Sequence, residues 1–91
     1  MNQTESPFMR SPEVVAAAVG DKTFLLHVTN WVYLELNESG TRIWELLEDG
    51  RPLDRVVEDL CREFHVDRQV CARDVAELLE TLEAKQFVTR G

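Results

Sequence analysis

Cysteine and histidine occur only twice each in this 91-residue chain, glycine four times and proline three times. Two cysteines, Cys61 and Cys71, cannot build the disulfide framework on which small secreted domains rely. With His27 and His65 they make no CxxC, HxxxH or HExxH spacing, so the pattern offers no metal site and no cofactor ligand set. The glycines, at 20, 40, 50 and 91, never cluster into the GxGxxG or GxxxxGK arrangement that cradles phosphates, which excludes nucleotide hydrolysis. Positive charge is scarce too. Ten Lys and Arg face seventeen Asp and Glu, a net charge of −7, and the resulting field repels nucleic-acid backbones and anionic lipid. Apolar runs stay well below the roughly 18 residues of a membrane span. Met1 to Met9 lacks the basic start and apolar stretch of a secretory signal. A cytoplasmic protein without membrane or nucleic-acid partners is the expectation.

What is present is the composition of an ordinary globular domain, 44% hydrophobic and 30% charged, with no low-complexity stretch. Disorder over the whole chain is thereby excluded, and the length suits one domain. Residues 1–12 are polar, aperiodic and interrupted by Pro7 and Pro12, and read as a flexible arm ahead of a domain over 13–91. Three short runs open that domain. Glu13 to Val19 is apolar, Gly20-Asp21 supplies turn chemistry, Lys22 to Val28 is rich in Phe, Leu and Val, and Thr29-Asn30 makes a second tight connection. Trp31 to Leu36 then alternates, with Val32, Leu34 and Leu36 on one face and Trp31, Tyr33 and Glu35 on the other. These runs predict a three-stranded antiparallel meander.

From Asn37 the period changes. Asn37 is a good helix N-cap, and Ile43, Trp44, Leu46 and Leu47 repeat at helical spacing until Asp49-Gly50, which predicts a helix over about 38–48. Pro52 suits the first turn of a second helix, whose apolar stripe is Leu53, Val56, Val57, Leu60, Cys61 and Phe64. Asp67 is placed to cap a third, with Cys71, Val75, Leu78, Leu79 and Leu82 inward and Lys85 near its end. Phe87 and Val88 then fold back or form a short strand. Strands followed by helices, segregated along the chain, indicate an α+β domain whose helical part is a helix-turn-helix trio.

No catalytic constellation emerges, and the chain reads as a binding protein rather than an enzyme. Glu48-Asp49, Glu58-Asp59 and the pair Glu80 and Glu83 fall on solvent faces, without a cleft to shift their proton affinities. Cys61 and Cys71 occupy core-type helical positions and read as small buried hydrophobes. His27 and His65 read as hydrogen-bonded or partly exposed histidines. The informative element is the third strand. In a sequential meander it lies at an edge with free backbone donors and acceptors, a surface used elsewhere to bind an extended peptide as an added strand. Alternatively, Trp31 and Tyr33 cover a sheet face or pack under the N-terminal arm.

The stretch LLHVTNWVYLELNESGTRIWELLEDG (25–50) carries Leu36-Asn37 at the strand–helix junction, Ser39-Gly40, Ile43, Leu47 and Asp49-Gly50. Downstream, Asp74-Val75 precedes Leu78-Leu79 and Leu82. Over about 13–88 this order and spacing resemble the PqqD family. The resemblance implies a winged-helix-like domain that is not a catalyst and serves as the recognition element for ribosomally made, post-translationally modified peptides. Such domains hold the leader segment of a precursor peptide against the third strand, beside the third helix, and present it to a separate enzyme. That enzyme is a radical SAM protein in the PQQ pathway and a leader peptidase in lasso-peptide pathways. Carried onto this chain, the peptide-facing strand is Trp31, Val32, Tyr33, Leu34 and Glu35, and the helical flank is Arg73, Asp74, Glu77, Leu78 and Thr81. Asp74 stands where the family usually has an acid; it accepts a hydrogen bond or ion pair from the leader, or it braces helix one. Two positions depart from the family pattern: Gln86 replaces a Gly before Phe87-Val88, and Pro52 replaces a small hydroxyl residue.

Two other functions fit a three-helix unit. A winged-helix DNA-binding regulator would read bases with the third helix, where Arg68, Arg73 and Lys85 are outnumbered by Asp67, Asp74, Glu77, Glu80 and Glu83. A small subunit that stabilises an enzyme without touching its substrate has no distinguishing pattern.

Overall fold

The computed structural model describes residues 8–47 and 52–90. Five strands and three helices follow the order β1 (Phe8–Arg10), β2 (Val14–Val19), β3 (Lys22–His27), β4 (Val32–Leu36), α1 (Glu38–Leu47), α2 (Leu53–Phe64), α3 (Arg68–Ala84) and β5 (Val88–Arg90). Strands β2, β3 and β4 form an antiparallel meander in sequence order, with β4 at one edge. The α+β reading therefore holds, an antiparallel three-stranded sheet followed by three helices. Among the described residues no helix is long and apolar enough to cross a membrane.

Local chemistry explains most of these bounds. The β2–β3 connection is the two-residue loop Gly20-Asp21, in which Gly20 takes the left-handed φ of +64° that only glycine adopts without strain. Asn37 caps α1 as its sequence position suggests, its Oδ1 accepting from the Gly40 amide at 2.9 Å. Pro52 stands at the N-cap of α2, one residue before the first turn. Asp67 departs from expectation. It occupies the N-cap of α3, but its side chain makes no cap hydrogen bond. His65 ends α2 in the left-handed conformation, its amide donating to the Cys61 carbonyl at 2.8 Å.

Sequence reasoning missed a second small sheet. Phe8–Arg10, assigned to a flexible arm over residues 1–12, pair antiparallel with Val88–Arg90, matching Phe8 to Arg90 and Arg10 to Val88. The reason is apolar: Phe8 is buried in the common core beside Phe87 and Val88. Arg10 adds a second tie, its guanidinium lying 4.4 Å from the Trp44 ring centroid while donating to the Trp44 carbonyl. Residues 1–7 of the expected arm, and Glu48, Asp49 and Gly50, lie outside the described residues.

The core is one cluster. Leu25 and Leu36 from the sheet meet Ile43, Trp44, Leu46 and Leu47 from α1, Val56 and Leu60 from α2, and Val75, Leu79 and Leu82 from α3. Strand β2 contributes only half-buried Val14 to it, so the β2–β3 hairpin projects with Val15 and Val19 exposed. Cys71 is buried, whereas Cys61, also expected inside, is only partly so, because α2 turns that edge toward Val66. Across the outside, Arg42 of α1 forks onto both Glu63 oxygens of α2 at 2.7 and 2.9 Å.

Gln86 sits at φ +65°, so Gln86→Gly relieves left-handed strain of about 1–2 kcal/mol, while losing an exposed hydrogen bond from Asn30. A net gain of roughly 0.5–1 kcal/mol in urea unfolding is expected, and a loss for Gln86→Ala, which keeps the strain. The Arg42 guanidinium, against the opposing effect of burial, holds the Glu63 carboxyl below the ordinary carboxylate range. Its stabilisation is complete above the unfolded value near pH 4.3 and disappears as pH falls through the lower folded one. As pH falls from about 5 through that lower value, Glu63→Gln should therefore show a smaller fall in Tm than the parent, by an amount worth under about 1 kcal/mol because Glu63 is exposed and Arg42 only half-buried.

Candidate functional site: an open strand edge beside a groove

The register of the sheet decides which backbone groups of β4 are free. Lys22 and Val19 close the two-residue hairpin as a bonded pair, and the Val28 amide donates to Glu13 at 2.9 Å, so even-numbered residues of β3 direct their backbone to β2. Odd-numbered Thr23, Leu25 and His27 then face β4, where they pair with Leu36, Leu34 and Val32. Those three β4 residues turn their backbone toward β3 and their side chains toward the core. Tyr33 and Glu35 do the opposite: their N–H and C=O groups point to the open edge and their side chains to the outer face.

Beside that edge lies a groove of about 600 Å³. Leu34, Leu36, Ile43 and Leu78 give it apolar walls, Asn37, Ser39 and Gly40 close one end, and Asp74, Glu77 and Thr81 line it from α3. Among the described residues α3 packs chiefly on α2 and β5 rather than on β4, which leaves this space along the flank of β4. Asp74, Glu77, Leu78 and Thr81 recur at helical spacing, so all four fall on one flank of α3. Lys22 and Glu35 stand at the rim as an ion pair of 3.0 Å, and the Glu35 carboxylate raises the Lys22 ammonium above its ordinary range.

The expected site residues separate in the structure. Leu34, Glu35, Asp74, Glu77, Leu78 and Thr81 meet at the groove. Arg73 does not; it borders a second depression of about 380 Å³ with Phe8, Leu53 and Glu80, and Glu77 stands between the two depressions and lines both. Trp31, read from sequence as the first residue of the strand, lies in the preceding turn at φ +60° and is 76% exposed. The four-residue β3–β4 connection closes there, the Trp31 amide donating to the His27 carbonyl at 2.8 Å, and this closure demands the left-handed residue. Tyr33 is 70% exposed on the outer face, and residues 8–12, the described part of the expected arm, cover neither aromatic.

Residues 22–88 match the family model of coenzyme PQQ synthesis protein D (PqqD), well over half of the chain. The chain belongs to the PqqD family. This PqqD domain is also similar to two solved structures. One is TbiB1 in complex with the TbiA(beta) leader peptide, at 36% identity and TM-score 0.82, covering 88% of this chain and 93% of that one. The other is a lasso peptide synthetase B1 complexed with the leader peptide, at 28% identity and TM-score 0.82, covering 91% and 98%. No curated protein matches the chain.

Elsewhere the PqqD domain keeps its reactive groups occupied. Burial, then the neighbouring Cys61, pushes the Cys71 thiol up to about 11, so it is protonated at neutral pH. His27 is buried and its Nδ1 accepts from the Thr29 and Asn30 amides, holding the β3–β4 turn. Among the described residues no three His, Cys, Asp or Glu converge as metal ligands.

Lys22, Asn37, Ser39, Gly40 and Ile43 entered the groove unannounced by sequence reasoning, although the N-cap at Asn37 held the clue. A cap directly after an edge strand fixes the start of α1 against the end of that strand. Gly40 packs closely there: a Cβ would come within 3.2 Å of Asn37 Oδ1 and 3.3 Å of Leu36 Cβ, pressing cap and strand apart by a few tenths of an ångström. Asn37→Ala should leave the Gly40 amide without its partner and cost about 1 kcal/mol in urea-unfolding free energy, with hydrogen exchange accelerated first at residues 38–41.

Proposed function

We propose that this PqqD-family protein binds the leader segment of a ribosomal precursor peptide as an added strand on β4 and delivers it to a separate modifying enzyme. The observation that carries the reading is the open edge of β4 beside an apolar-walled groove of about 600 Å³. The two similar solved structures, each bound to a leader peptide, support it. Backbone groups of Tyr33 and Glu35 supply the pairing. Val32 and Leu34 flank the incoming side chains, and Asp74, Glu77, Leu78 and Thr81 form the opposite wall. Trp31 stands at the end of the strand, and Arg73 takes no part.

Binding of this kind does no chemistry. Main-chain pairing gives affinity, the groove gives selectivity, and tethering the precursor raises its effective concentration at the enzyme. The separate enzyme is a leader peptidase of a lasso-peptide pathway, the peptide class named for one of the two neighbours, or a radical SAM maturase. DNA binding is disfavoured by α3 itself, which presents Asp74 and Glu77 where phosphates would lie.

Two substitutions at one residue separate backbone from side chain. Tyr33→Pro removes a free edge donor while sparing the β3 ladder, and Tyr33→Ala removes only an exposed ring. With the TbiA(beta) leader peptide as ligand, fluorescence polarisation should show at least a tenfold loss for the proline variant and under threefold for the alanine variant. Equal affinity for the parent and a folded Tyr33→Pro protein would exclude strand addition.

A further inference from the structure

Given strand addition, on which the present inference rests, the groove carries information about its ligand beyond the fact of binding. A strand paired to β4 presents every second side chain on the core-facing side, level with Val32, Leu34 and Leu36. Successive side chains of that set are about 6.6–6.8 Å apart. The wall from Asp74 to Thr81 covers seven residue-to-residue steps of α3, about 10.5 Å at the helical rise. The lined stretch therefore takes two such side chains, separated by one residue whose side chain points outward.

Those two positions differ in chemistry. Leu34, Leu36, Ile43 and Leu78 offer only carbon, which suits an aliphatic side chain. Asp74 and Glu77 offer two carboxylates one turn apart on the same wall. Both are exposed, and among the described residues neither meets a cationic side chain. The one cation that lines the groove among the described residues, Lys22, is held by Glu35. The remaining field is thus negative beside an apolar patch, and the whole chain adds to it with a net charge of −7.

We infer that the peptide segment seated in the groove carries an aliphatic residue and a Lys or Arg two positions apart, the basic side chain lying against Asp74 and Glu77. An acidic residue at that position is excluded by like-charge repulsion, so the same two residues that deter nucleic acid select among leaders.

A random dodecapeptide display library, which requires no identified precursor, is selected on the immobilised protein with counter-selection on Tyr33→Pro. Enriched peptides should share an aliphatic–x–basic or basic–x–aliphatic core. A fluorescein-labelled winner should lose at least tenfold in affinity on Lys→Glu replacement. That difference should shrink to under threefold on the double variant Asp74→Asn, Glu77→Gln, whose exposed sites leave the fold intact by circular dichroism. Raising NaCl from about 50 to 500 mM should weaken the basic peptide more than its Gln counterpart. Enriched peptides without a basic residue, or a Lys preference untouched by the double variant, overturn the inference while strand addition stands. No enrichment over Tyr33→Pro overturns strand addition itself, and this inference with it.

Discussion

Strand β4 divides its work by parity, and the remainder of the domain is arranged around that division. Even residues give backbone to β3 and side chains to the core; odd residues give side chains to solvent and leave backbone groups unmet at the edge. A shift of one residue would bury Tyr33 and Glu35 and expose Leu34 and Leu36, so the register is fixed by burial as well as by the loops. The Lys22–Glu35 pair braces the same register from the outer face. Because Leu36 is the last residue of the strand and Asn37 the cap of α1, sheet and first helix are joined without slack, and the groove inherits the rigidity of both.

Much of this was legible in the chain because it is written at short range. Alternation over Val32–Leu36, the Gly20-Asp21 turn, the Asn37 cap and the apolar stripes of α2 and α3 each depend on residues within a turn or a hairpin. Features built from distant residues were not legible. Phe8 looked like part of an aperiodic arm because its partners, Phe87 and Val88, lie at the far end of the sequence. Spacing along α3 does not say which flank meets β4, and the structure puts Asp74 in the groove beside β4 and its neighbour Arg73 in a different depression. The Trp31 backbone was equally hidden: nothing about a tryptophan announces a left-handed φ, and the demand comes from the loop length rather than from the residue.

Charge bears on questions that the fold leaves open. Three helices beside a small sheet are compatible with reading DNA, with binding peptide or with bracing an enzyme. What distinguishes them is the lining of one groove, where carbon and carboxylate alternate and the single ammonium is already engaged. The scaffold thus accounts for the presence of a groove, and the side chains that line it for the preference we infer.

The pairing of β1 with β5 has a consequence for how the domain can be joined to other chains. Phe8 and Arg90 are register partners, so their Cα atoms lie about 5 Å apart and both ends of the folded unit leave from one corner. A unit of that kind can be spliced into a surface loop of a larger protein as readily as it can be appended to either end, since the host backbone need not be stretched to accommodate it. Strand β4 belongs to the other sheet, and such splicing would leave its edge unaltered.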